Sequence, residues 1–245
     1  WIGPLNLKPH STHVAGTLAG SGILSEAQGG TPLQWRGMAP SAHMVSFSWN
    51  EVLEGHASAA TNFGAVLSQN SWGLRLSPDW NTCDLAGAYT HFSPEYDQIA
   101  TGLFGHPMHV VFAAGNQRNG NEETACKAGP YATIGPPSTL KNGITVGAVN
   151  SDNNTMTVFS GWGPMADGRL KPDLVAPGDE AGGDGGIKST MPGDWYEAHF
   201  GTSMAAPVVS GSAALLIEDY RSIQHDQDPL PSTVKALMLH TAKDL

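Results

Sequence analysis

The sequence has 245 residues and a formal net charge of −10, with 40% hydrophobic and 14% charged residues. This length and balance support one large domain or two small ones with a sizeable buried core. The acidic charge argues against binding to nucleic acid or to acidic membrane surfaces, and no apolar run reaches the roughly 18 to 20 residues that span a bilayer. The composition suits a soluble, secreted protein, although many cytosolic proteins are equally acidic.

Short apolar strands alternate with helical stretches along most of the chain. Strands are predicted at 43–49, 65–73, 108–116, 143–149 and 170–178. Helices are predicted at 54–64, 94–104, 202–220 and 231–243, besides one that opens at His10. Continuous apolar strands alternating with helices are typical of a parallel sheet covered on both faces. The sequence therefore predicts an α/β fold.

The stretch FGTSMAAPVVSGSAALL places Ser203 at the start of a helix with no strongly polar face. Thr202 is predicted to cap this helix, and Pro207 lies near its first turn, where a missing N–H costs little. The positive end of the helix dipole stabilises negative charge that develops there. Ser203 is therefore a candidate nucleophile, although a role in capping the helix alone explains the same residues.

The stretch HSTHVAGTLAGSG begins at His10, in the first turn of a helix, from where an imidazole can act as a general base. His13 lies one turn deeper on an apolar face, and we predict that it packs inside the fold. A zinc site built on the two histidines is only weakly indicated, because no third ligand is apparent.

The apolar strand VVFAAGNQ ends in Gly-Asn, which places Asn116 at the carboxyl edge of the predicted sheet. Active sites of parallel sheets gather at this edge, and a side-chain amide there can donate to an oxyanion. The same dipeptide is also typical of an ordinary turn.

In this order, HSTHVAGT, AAGN and GTSMAAPVVSG closely resemble the signature blocks of the subtilisin-like serine proteases, the subtilases. GMAPSAHMVSF, QNSWG and DGRLKPDLVAPG extend the resemblance across nearly the whole chain. The resemblance implies one catalytic domain over residues 1–245, with a three-layer fold in which a mainly parallel sheet lies between helices. It also implies a serine endopeptidase that works through an acyl-enzyme. The layout most resembles the larger alkaline subtilases with a C-terminal β-sandwich.

Position by position, the resemblance implies that His10 is the general base and Ser203 the nucleophile. It makes Asn116 the oxyanion donor, together with the backbone N–H of Ser203. It also implies a specificity pocket with two walls and a base. One wall is Ser71, Trp72 and Gly73, and the other is Ala113, Ala114 and Gly115. Gly135 lies at the base. These residues carry no charge, which favours broad or apolar specificity. Pro137 falls where the family often has a cis proline.

The sequence departs from the family pattern in two places. Ser11 stands where a glycine usually follows the catalytic histidine. The family also places an aspartate on a strand upstream, whereas only nine residues precede His10 and none is acidic. We therefore expect a fragment, incomplete at the N-terminus, whose triad aspartate lies in a missing N-terminal segment of the same enzyme. A catalytically silent peptide-binding domain is the alternative, and an esterase is disfavoured because G-x-S-x-G is absent.

The partners implied are protein or peptide substrates, with no nucleic acid and no membrane, and no cofactor is needed for catalysis. Structural calcium is an option in the acidic, glycine-rich stretch 176–186, since subtilases often bind calcium in such loops. A solvated loop explains the same stretch. Cys83 and Cys126 lie in polar, turn-rich stretches, either as a disulfide of an exported protein or as two free thiols.

Overall fold

The structure is a computed structural model that describes residues 8–90, 92–118, 126 and 130–245. The helices are α1 (Pro9–Ala19), α2 (Val52–Phe63), α3 (Ser93–Thr101), α4 (Thr202–Ile223) and α5 (Pro231–Thr241). The strands are β1 (Leu67–Asn70), β2 (His109–Ala113), β3 (Ile144–Asn150), β4 (Leu174–Asp179), β5 (Ile187–Met191) and β6 (Trp195–His199). Short 3-10 helices lie at Glu26–Gln28, Trp49–Glu51, Pro78–Trp80 and Cys83–Leu85.

The central sheet has four parallel strands in the order β1-β2-β3-β4. α4 packs on one face, where Ala205 and Val209 join the β2 and β3 side chains in one core cluster. α2 and α3 cover the other face, where Tyr96 and Ile99 pack against Phe112 of β2. β2 is buried along its whole length, as expected of a strand covered on both faces. The predicted three-layer α/β fold is confirmed.

Most predicted elements are present, with helix ends within three residues of those predicted. The strand predicted at 170–178 begins only at Leu174, because Pro172 has no N–H to donate to a neighbouring strand. The strand predicted at 65–73 is shorter than expected and ends at Asn70.

The strand predicted at 43–49 is wrong. Only Val45 makes an isolated bridge, and a 3-10 helix begins at Trp49. Phe47 instead lies edge-on to the His56 ring of α2, with centroids 4.9 Å apart. Phe47 therefore covers a helix, and the segment forms no strand among the described residues.

An antiparallel hairpin of β5 and β6 was not among the predicted elements. The Pro-Gly-Asp sequence between its two runs, IKSTM and WYEAH, is a turn signal that points to it. The hairpin packs closely on α1, since a Cβ on Gly16 would collide with the hydroxyls of Ser189 and Thr190.

His13 anchors α1 to this hairpin. Its side chain is fully buried, and its Nε2 lies 2.8 Å from the Ile187 carbonyl oxygen and 3.0 Å from that of Glu197. Because carbonyl oxygens only accept, Nε2 carries the proton and donates to both. The prediction that His13 packs inside the fold is confirmed.

Cys83 and Cys126 are joined by a disulfide, with their Cα atoms 5.0 Å apart. The structure thus decides between the two alternatives that the sequence left open. Within the described ranges, no helix combines the length and the apolar character needed to cross a membrane.

Candidate active site

Ser203 lies in the first turn of α4, half-buried, close to the carboxyl ends of β1 and β2. Its backbone N–H has no acceptor among the described residues, as is usual for the first N–H groups of a helix. Gly201 precedes the helix with a φ of 139°, and a Cβ there would stand 3.1 Å from Nδ2 of Asn116. Glycine therefore leaves open the space between the helix start and the asparagine amide.

The predicted capping role of Thr202 is wrong. The helix begins at Thr202 itself, and Gly201 before it provides no side-chain cap. The Thr202 hydroxyl instead donates to Oδ1 of Asn116 at 2.9 Å and accepts the N–H of Gly115 at 3.1 Å. A partner distant in sequence has displaced the local capping bond.

Asn116 is oriented by these contacts. Its Oδ1 also accepts the backbone N–H of Thr202 at 2.9 Å. Because a backbone N–H can only donate, the amide must present its oxygen to Thr202 and its nitrogen to the other side. Nδ2 therefore lies beside Gly201, without an acceptor in the described part of the chain. The Asn116 amide and the Ser203 N–H are two available donors at the start of one helix.

Ser71 joins the segment after β1 to the serine. Its Oγ donates to the Ser203 carbonyl oxygen at 2.7 Å and accepts Nε2 of Gln69 at 2.7 Å. In return, Oγ of Ser203 lies 3.4 Å from the Ser71 carbonyl oxygen, which is long for an O–H···O bond. The backbone at Ser203 is thus firmly held while its hydroxyl is only weakly engaged.

A cavity of about 150 Å³ opens beside Ser203. Most of the predicted pocket residues line it, namely Trp72, Gly73, Ala113, Ala114, Gly115 and Gly135. Ser71 does not line it and contacts Ser203 instead. A Cβ on Gly135 would lie 2.9 Å from the Leu74 carbonyl oxygen, so glycine allows the two segments to approach.

Several lining residues were not singled out by the sequence reasoning, among them Leu74, Arg75 and Gln117. Each directly continues a recognised motif, QNSWG or AAGN, beyond its last letter. Extending the motifs by one or two residues would have found them.

Buried hydrogen bonds hold the cavity wall at Trp72. Its indole N–H donates to Oδ1 of Asn70 at 3.2 Å, and the Tyr96 hydroxyl donates to the same oxygen at 3.1 Å. The Asn70 amide nitrogen donates to Ser68 Oγ at 2.9 Å. Satisfied buried networks of this kind rigidify their surroundings.

His10 lies in the first turn of α1, which packs against α4. The side chain is largely exposed, and no hydrogen bond or ion pair joins its ring to any residue that the structure describes. Desolvation by the protein around the ring lowers the pKa of His10, and the charge of nearby His199 lowers it further. His199 itself stacks on His13, with ring centroids 4.5 Å apart. A lowered pKa favours the neutral imidazole that a general base requires.

Within the described ranges, no three His, Cys, Asp or Glu side chains converge as a metal site would require. In the stretch 176–186, Glu180 accepts the backbone N–H of Asp184 at 2.8 Å. Calcium binding by this stretch stays a prediction.

The fold and site define an α/β protein in which a serine in the first turn of a helix and a nearby asparagine amide line one cavity. Residues 4–245 match the family model described as the subtilase family, Peptidase_S8, and the chain belongs to this family. The resemblance inferred from the sequence motifs is thereby confirmed. The likeness to the subgroup with a C-terminal β-sandwich stays a prediction.

Individual relatives are similar over nearly the whole chain. Subtilisin E of Bacillus subtilis (strain 168) is 30% identical over 233 aligned residues, covering 93% of this chain and 51% of that protein. The serine protease AprX of the same organism is 28% identical, covering 96% of this chain and 53% of that protein. The chain spans about half the length of these curated relatives. The solved structure of the Clostridium perfringens CspB protease has the same fold, with a TM-score of 0.73 at 18% identity, over 98% of this chain and 76% of that one.

Proposed function

We propose that the protein is a serine endopeptidase in which Ser203 attacks the peptide carbonyl and forms an acyl-enzyme. The hydroxyl proton passes to His10, which then returns it to the leaving amine as the C–N bond breaks. Water, deprotonated by His10, attacks the ester, the C–Oγ bond breaks to release the acid product, and His10 returns the proton to Ser203 Oγ. Membership in the subtilase family supports this reaction.

The observation that carries the proposal is the fixed orientation of Asn116. Two hydrogen bonds from Thr202 hold Oδ1, which leaves Nδ2 to donate beside the Ser203 N–H. These two donors suit the oxyanion that develops when Ser203 attacks a carbonyl. The cavity next to them has room for the side chain that precedes the scissile bond.

We further propose that an aspartate from an upstream segment of the same protein orients His10. Within the described ranges, no carboxylate contacts His10, and an unoriented imidazole is a poor base. Among the strands that the structure describes, β1 lies at the edge of the sheet and pairs on one side only, with β2, which suits the addition of a parallel strand. The aspartate of such a strand would reach the carboxyl edge of the sheet.

A fluorophosphonate probe tests the proposal, because it labels only a serine that is activated as a nucleophile. The full-length protein should be labelled at Ser203 and should cleave peptides. Deleting or mutating the upstream aspartate should lower both rates by up to about 10⁴-fold, the loss known for triads of this type. A protein that binds peptides but takes no label at Ser203 would instead be a silent peptide-binding domain.

We propose an extracellular location as well, supported by the Cys83–Cys126 disulfide, since disulfides persist in oxidising compartments. The substrates would then be proteins or peptides outside the cell. A structural calcium ion in the stretch 176–186 is part of the same proposal. Calorimetry with calcium and with EDTA decides it, since an unchanged melting temperature would contradict a stabilising ion.

A further inference from the structure

Arg75 gives the cavity a charge that the predicted walls lack. It is the one charged residue among the described residues that line the cavity. It lies two residues after Gly73 in sequence, with Leu74 between them, and Asn116 and Gln117 line the same cavity. The expectation of broad or apolar specificity rests on the uncharged walls alone.

The Arg75 guanidinium is available to a ligand. No carboxylate pairs with it in the part of the chain that the structure describes. The guanidinium lies over the ring of Trp80, with its Cζ atom 5.9 Å from the ring centroid. This distance is near the outer limit for a cation–π interaction. The side chain is exposed and keeps the planar set of N–H donors that matches a carboxylate.

Gln117 adds a second polar group. Its side chain folds back over the wall, since a Cβ on Gly115 would lie 2.8 Å from Gln117 Oε1. Ser138, which also lines the cavity, is already engaged, because its hydroxyl donates to the Ala113 carbonyl oxygen at 2.6 Å. Arg75 and Gln117 thus offer side-chain donors at the cavity that no described residue uses.

We propose, on the basis of the endopeptidase function above, that Arg75 makes the cavity select glutamate or aspartate directly before the scissile bond. A carboxylate in the cavity gains the attraction of the guanidinium and an oriented pair of hydrogen bonds. A lysine or arginine side chain is repelled by the same group. A carboxamide can accept a hydrogen bond but gains no charge pairing.

The expected preference is moderate because Arg75 is exposed to solvent. We expect kcat/KM for a glutamate substrate to exceed that for the matched glutamine substrate by about three- to fivefold at low salt. The preference should shrink as ionic strength rises towards 1 M, where the screening length falls to about 3 Å. Shape-based selection would not depend on salt in this way.

Four p-nitroanilide peptides that differ only in the last residue, Glu, Gln, Leu or Lys, test the proposal on the full-length protein. Arg75→Gln should remove the glutamate preference, and Arg75→Glu should reverse the order of glutamate and lysine. The matched control is Arg36→Gln, another exposed arginine outside the cavity lining, which should change none of the ratios.

Three results separate the inference from the function on which it rests. Equal rates for glutamate and glutamine in the wild type, with cleavage of other peptides, overturn the inference and leave the endopeptidase standing. A glutamate preference that persists in Arg75→Gln overturns it as well. If no peptide is cleaved and no fluorophosphonate is bound at Ser203, the proposed function fails and the inference fails with it.

Discussion

On the serine side of the proposed site, the reacting groups are tied to one another by side chains of this chain. Thr202 holds the Asn116 amide, and Ser71 holds the Ser203 carbonyl, each through bonds of 2.7 to 2.9 Å. On the histidine side, the His10 ring is largely exposed and no described residue bonds it. In the proposed mechanism, the oxyanion donors are therefore organised in advance, whereas the base depends on a further group.

This difference follows from the fold. The segments after β1 and β2 and the start of α4 meet at the carboxyl edge of one sheet, so each can hold the others. α1 is anchored through His13, one turn beyond His10, and this anchor fixes the helix without orienting the His10 ring.

The largest expected effect on kcat comes from removing the side chain of Ser203 or of His10. Similar losses in the two variants would show that the serine side and the histidine side of the proposed site act together. Ser203→Ala and His10→Ala should each lower kcat by about 10⁶-fold, the loss known for these two positions in subtilisin itself. Ser222→Ala, in the same helix but on the exposed surface, is the control. Full activity in His10→Ala would show that another group is the base.

Asn116→Leu tests the serine side alone. Loss of the oxyanion donor should lower kcat by about 10²- to 10³-fold with little change in KM, the range known for this donor in subtilisin. Asn116→Asp keeps an oxygen for Thr202 but loses the Nδ2 donor, so it should fold normally and still be impaired. Asn62→Leu, at an exposed asparagine of α2, serves as the control. A normal kcat in Asn116→Asp would contradict the donor role.

Thr202→Val should have a smaller effect, because it removes one of the two bonds that orient Asn116 and leaves the backbone N–H bond intact. We expect kcat to fall up to about tenfold, the equivalent of one neutral hydrogen bond. Thr202→Ser restores the hydroxyl and should recover most of the activity. If Ser and Val variants behave alike, the hydroxyl does not position the amide.

The sequence alone predicts those site residues that belong to local motifs. Ser203, Asn116 and the glycines of the cavity lie at strand or helix ends, where residue types alone limit the backbone. The prediction for Thr202 is wrong, because a local capping pattern competes there with Asn116, a partner 86 residues away.

Other errors have the same origin in contacts that are distant in sequence. The alternating run around Phe47 predicts a strand, yet the ring is used to cover His56 of α2. The β5–β6 hairpin has mixed, half-exposed strands whose burial arises mainly against α1. The spacing of apolar residues along the sequence does not indicate packing against a distant helix.

His199→Gln offers the smallest but most specific test of the histidine side. Desolvation and, after it, charge repulsion from His199 lower the pKa of His10. Because only neutral His10 can take the Ser203 proton, kcat/KM rises with pH through the His10 pKa. Removing the His199 charge should raise that pKa, so the acid limb of the pH profile should move to higher pH.

At pH values above the limb, His199→Gln should cleave peptides at nearly the wild-type rate, since His10 is then neutral in both proteins. His240→Gln, at an exposed histidine of α5, should leave the profile in place. The shift should weaken at high salt, because charge repulsion between partly exposed groups is screened. A shift to lower pH, or none at low salt, would mean that the His13–His199 stack acts only in packing and that desolvation alone lowers the pKa of His10.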